Sequence, residues 1–65
     1  MGKEDVKLAQ RMLRVAARFD AMAEELSARP DADRPHIQRA CESTRSMADA
    51  LRDAAADRLA KANNR

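Results

Sequence analysis

Pro30 and Pro35 are the only prolines in this chain of 65 residues, and they divide it. Residues 3–28 on one side and 36–65 on the other contain neither proline nor glycine. Proline breaks a helix interior and pushes the residue before it out of the helical region. The two uninterrupted stretches therefore read as two long helices, about 3–28 and about 35–62, joined by a turn over 29–34. Asp33 is the expected N-cap of the second helix, where its carboxylate accepts unpaired amide hydrogens of the first turn. Pro35 is tolerated just inside that turn, where a missing N–H costs nothing. So short a turn favours antiparallel packing. The expectation is one all-α domain over residues 1–65, a helical hairpin.

Composition agrees with helix throughout. Alanine occurs fifteen times and arginine ten, with one phenylalanine and no tyrosine or tryptophan. Ala, Arg, Leu, Met and Glu are strong helix formers. In the first helix Leu8, Met12, Val15, Phe19, Met22 and Leu26 recur at alternating spacings of 4 and 3, an unbroken heptad seam. Ala9, Ala16 and Ala23 flank that seam and permit close approach of a neighbouring backbone. The second helix has a seam of smaller residues, Ile37, Cys41, Thr44, Ala48, Leu51 and Ala55, widened by Ala40, Met47 and Ala54. A large seam facing a small one is complementary in volume.

Size then argues for a partner. Ordering a residue costs roughly 1.5 kcal/mol, and small scaffolds offset this with disulfides, a metal or oligomerisation. Cys41 is the only cysteine, so no disulfide forms within the chain. One cysteine and one histidine, His36, do not supply four zinc ligands. A second hairpin covering Met12, Phe19 and Met22 closes a two-fold antiparallel four-helix bundle, and the twelve seam residues are the expected dimer core.

The net charge of +2, from 13 basic and 11 acidic groups, does not by itself declare a nucleic-acid binder. Its distribution says more. Lys7, Arg11, Arg14 and Arg18 recur at i, i+4, i+7 and i+11, with Lys3 and Gln10 nearby and no acid between Lys7 and Arg18. Cations in such a row can track phosphates, releasing counterions at each contact. The other reading is a solvated flank whose arginines bridge to acids of a neighbouring helix. Glu42–Arg45, Asp49–Arg45, Asp49–Arg52 and Asp57–Lys61 have the spacing of ordinary surface pairs. Cys41 reads as a redox switch or as a small buried hydrophobe, and Thr44 as a register-setting polar group or one bonded back to a carbonyl a turn earlier. His36 has no spaced nucleophile or orienting partner, so it reads as an exposed polar residue.

Beyond the heptads, a few short stretches are distinctive: Asp31-Ala32-Asp33 in the turn, Cys41-Glu42-Ser43 early in the second helix, and Ala48-Asp49 followed by Leu51. With Lys3, Glu24 and Leu26 in the first helix, they resemble the Rop family, small plasmid-encoded modulators of antisense RNA. The resemblance implies two helices dimerising into an antiparallel four-helix bundle that binds kissing RNA hairpins on the exposed face of the first helix. Lys3 matches a family lysine, and Gln10 stands where the family has asparagine. The chain departs at Arg14 for an exposed phenylalanine, Arg18 for a glutamine and Glu25 for a lysine. Its face is thus more basic in the first half and more acidic at the end.

The leading expectation is a non-enzymatic, cytoplasmic homodimer that binds structured RNA through Lys3, Lys7, Gln10, Arg11, Arg14 and Arg18, with no metal or other cofactor. The alternative is a small protein-interaction or adaptor module without nucleic-acid binding, its partner a different protein. A helical DNA binder is disfavoured, because long helices around a proline-bracketed turn differ from a helix-turn-helix. No apolar run approaches the ~20 residues needed to span a membrane, the first residues lack the apolar stretch of a signal peptide, and a lone cysteine suits a reducing compartment.

Overall fold

The computed structural model describes residues 2–63. Helix α1 spans Gly2–Ala28, 27 residues, and α2 spans Pro35–Asn63, 29 residues, with no strand among the described residues. The two pack along their whole length as a hairpin, a slim object with Cα extents of 49 × 14 × 10 Å. Helix α1 stops two residues before Pro30, leaving Arg29 outside it, as the steric demand of proline on its predecessor requires. The turn is closed by backbone bonds from Arg29 N–H to Leu26, Ala32 N–H to Arg29 and Arg34 N–H to Asp31, at 3.3, 3.1 and 3.0 Å.

The start of α2 differs from expectation. The Arg34 carbonyl accepts from both Ile37 and Gln38 at 3.0 Å, which makes Arg34, not Asp33, the N-cap. Proline is best placed at the first helical position, and α2 uses Pro35 there, which moves the cap one residue on. Asp33 makes no hydrogen bond to the helix start among the described residues. Asp31 takes the other role in the turn. It accepts from Arg29 Nε at 2.8 Å and from a second guanidinium nitrogen at 3.2 Å. This forked bond, more than the charge alone, holds the Asp31 carboxyl below the usual carboxylate range and raises Arg29.

The helix–helix contact is built from small residues. Ala9, Ala16 and Ala23 of α1 are 0–1% exposed, and they meet Ile37, Cys41, Thr44, Ala48 and Ala55 of α2. The expected packing of the large α1 seam directly into the small α2 seam is therefore corrected. Helix α1 turns its alanine ridge to α2, and Leu8, Met12, Val15, Phe19, Met22 and Leu26 lie about 80° to one side. Small facing small lets the two backbones come close, and it leaves the bulky side chains on a flank. Met12, Val15, Phe19 and Leu26 are half-buried, while Leu8 and Met22 are 38% and 48% exposed. Helical geometry places Ala40, Met47, Leu51 and Ala54 of α2 on the same side of the hairpin. Met47 is also 48% exposed. The two helices thus share one apolar flank.

No large side chain is fully buried. An alanine methyl is worth about 0.8 kcal/mol on burial, which is less than the ordering cost of the residue that carries it. The hairpin core is thin for that reason, and the larger apolar side chains sit where only another surface can cover them.

Candidate functional site

Lys7, Arg11, Arg14 and Arg18 are exposed on the face of α1 turned away from α2, with Lys3 and Gln10 exposed alongside. The alanine ridge sets this arrangement. Because Ala9, Ala16 and Ala23 face α2, side chains half a helical turn away point outward. The ion pairs formed among the described residues all use other groups. Arg29 pairs with Asp31 in the turn, Arg52 with Asp20 at 2.6 Å, Arg52 with Asp49, and Arg58 with Asp5 at 3.5 Å. The stripe cations are outside these pairs, so the bridging to a neighbouring helix that the other reading requires does not occur within the hairpin. Lys7, Gln10, Arg11 and Arg14 line a shallow depression with Glu4 and Leu8, where the stripe borders the apolar flank.

The acids of α2 lie elsewhere. Glu42, Asp49, Asp53 and Asp57 are exposed on the outward polar side of α2, away from the apolar flank. Of the surface pairs expected from spacing, Asp49–Arg52 forms. Asp20 and Arg52 tie α1 to α2 on the polar side, and Asp5 and Arg58 tie them at the open end. The hydrogen bonds that Arg52 donates to Asp49 and then to Asp20 raise its pKa. Neither interhelix pair was anticipated from spacing, because each depends on which residues of two antiparallel helices stand level.

The remaining candidates take ordinary places. Cys41 is buried, its thiol 3.5 Å from the Ala23 carbonyl and 3.3 Å from the Ser27 hydroxyl, as a small core residue. Ser27 donates to Ala23 at 3.0 Å and accepts from Arg45 at 3.3 Å, and Ser27, Cys41 and Arg45 line a depression together with Leu26, Ala32 and Ile37. The Thr44 hydroxyl donates to the Ala40 carbonyl at 2.7 Å, the back-bond of a helical threonine. His36 is exposed at the start of α2. Among the described residues no three His, Cys, Asp or Glu side chains cluster to hold a metal, and no helix is long and apolar enough to cross a membrane. Of the expected core residues, Ile37, Cys41, Thr44, Ala48 and Ala55 are buried in the hairpin, Leu51 is half-buried, and the six of α1 line the flank. Comparison with family models, with curated proteins and with solved structures finds no match to this chain.

Proposed function

We propose that the hairpin pairs with a second copy into an antiparallel four-helix bundle, and that the dimer binds structured RNA through the basic face of α1. One observation carries the binding half. Lys7, Arg11, Arg14 and Arg18 form an exposed row, unpaired with acids of their own hairpin among the described residues and directed away from α2. Phosphates supply what such a row lacks, and guanidinium groups bind them with two parallel bonds. Lys3 extends the surface toward the open end, and Gln10, level with Lys7 and Arg11, offers an amide for ribose or base edges. The dimer half rests on the apolar flank, where Leu8, Met22 and Met47 stand exposed. The resemblance to the Rop family favours the same assembly and the same ligand class. The proposed role is regulatory binding, with no catalysis.

The test is a titration against a pair of kissing RNA hairpins, a plain RNA duplex and a DNA duplex, each at low and near-physiological salt. RNA affinity should fall with salt along a log–log slope of about −0.7 to −0.9 per phosphate contact. The double variant Arg14→Ala/Arg18→Ala should bind RNA at least tenfold more weakly while keeping the helical signal and the parent's mass. RNA binding equal to the parent's in that variant would remove the stripe from the function. Failure of the parent to bind any of the three would favour the adaptor reading, with a protein partner.

A further inference from the structure

We propose that the depression at the closed end of the hairpin is a binding site for a small zwitterion with an apolar side chain, the chemistry of an aliphatic α-amino acid. The site is separate from the basic row of α1, and its occupancy requires neither RNA nor a second copy of the chain.

The depression measures about 470 Å³. Small-molecule pockets span about 300–1,000 Å³ and combine an apolar lining with a few polar groups. Here Leu26 near the end of α1, Ala32 in the turn and Ile37 at the start of α2 supply the apolar lining. The polar groups come from one face of α2, where Gln38, Glu42 and Arg45 recur at i, i+4 and i+7, all exposed. Both helices and the turn thus meet at one hollow.

Its charges select the ligand. Glu42 and Arg45 have the spacing of a surface pair, and so have Asp49 and Arg45. Neither pair forms among the described residues. Arg45 reaches across to α1 instead and donates to the Ser27 hydroxyl at 3.3 Å. Ser27 is itself fixed, donating to the Ala23 carbonyl at 3.0 Å and lying 3.3 Å from the Cys41 thiol. This chain of contacts holds the guanidinium over the gap between the helices. A guanidinium has five N–H donors, and the bond to Ser27 occupies one of them. The side chains of Glu42 and Gln38 make no hydrogen bond among the described residues.

Opposite charges that border one hollow without pairing fit a ligand that carries both. A carboxylate alone gains Arg45 but is repelled by Glu42, and an ammonium alone gains Glu42 but is repelled by Arg45. An α-amino acid satisfies the two together. Its carboxylate takes two parallel N–H bonds from Arg45, its ammonium donates to Glu42 and to the Gln38 amide oxygen, and its side chain lies on Ile37, Ala32 and Leu26. Gln38, Glu42 and Arg45 stand on the side of α2 away from the apolar flank, so the mouth stays open when the flank is covered.

L-leucine is the probe, and Cys41, which lines the depression, reports its binding. The buried thiol reacts with iodoacetamide when the hairpin opens locally, and a ligand held between both helices opposes that opening. At about tenfold excess over its dissociation constant, leucine should slow alkylation about tenfold. Isocaproate, which lacks the ammonium, and isoamylamine, which lacks the carboxylate, should each bind about tenfold more weakly than leucine. Glycine, which lacks the side chain, should bind more weakly too. Glu42→Gln should abolish the preference for leucine over isocaproate, and Arg45→Gln the preference for leucine over isoamylamine. Both residues are exposed, so both variants should keep the parent's helical signal. Methyl signals of Ile37 follow binding by NMR in the same samples, all without RNA. A parent whose alkylation rate and Ile37 signals do not change in millimolar leucine would overturn the site. Equal binding of leucine, isocaproate and isoamylamine would overturn the assignment of a zwitterion to Glu42 and Arg45.

Discussion

The two helices bury opposite parts of their apolar surface. Helix α2 spends its seam inside the hairpin, with Ile37, Cys41, Thr44, Ala48 and Ala55 covered by α1. Helix α1 buries only Ala9, Ala16 and Ala23 and leaves its six large side chains on the flank. One helix is thus largely satisfied by its own chain, and the other has most of its apolar area still to cover. The difference teaches that the alanine ridge closes the hairpin, while the large seam lies beside that contact on the flank.

Substitutions in the two regions should therefore fail differently. Phe19→Ala should have the largest effect. It removes a side chain that the proposed dimer buries, at about 3 kcal/mol, or on the order of a hundredfold in dimer affinity. The loss should show in sedimentation as monomer at concentrations where the parent is dimeric. An unchanged dissociation constant would place Phe19 outside the interface. Ala16→Leu should come next, destabilising by about 1–3 kcal/mol, because the close backbone approach leaves no room for a longer side chain. Its thermal midpoint should fall at every protein concentration, whereas the Phe19→Ala defect should be partly recovered by raising concentration. If both defects respond alike to concentration, the division between ridge and flank is wrong.

The smallest effect expected is at the turn. The Asp31 carboxyl is held below its unfolded value by Arg29, so its contribution is complete above the unfolded carboxylate range and is lost as pH falls through the depressed folded value. Stability at the turn should decline only in strong acid, and Asp31→Asn should flatten that decline without altering the midpoint near neutrality much, since both groups are solvent-exposed. Proton titration of the Asp31 carboxyl by NMR checks this. A value at or above that of a free aspartate would contradict the forked bond.

Much of the hairpin was legible in the chain because its signals are local. Proline acts on its immediate neighbours, and heptad spacing needs only one helix at a time. The basic row was visible for the same reason, since Lys7, Arg11, Arg14 and Arg18 belong to one helix face. What escaped depends on pairs of elements. Both the large seam and the alanine ridge of α1 are apolar, so spacing alone did not choose which of them faces α2; close small-on-small packing did. The N-cap was misplaced by one residue because Asp33 and Pro35 compete for adjacent roles and the preference of proline for the first helical position won. The Asp20–Arg52 and Asp5–Arg58 pairs acquire meaning only once the register of two helices is known.

The central claim is that this chain is half of a bundle, and sedimentation equilibrium tests it most directly. Run at micromolar concentration with helicity followed in parallel by circular dichroism, it should return twice the 7.2 kDa chain mass, with mass and helicity falling together on dilution. A chain that stays at 7.2 kDa with full helicity would show a hairpin stable by itself and would contradict the account.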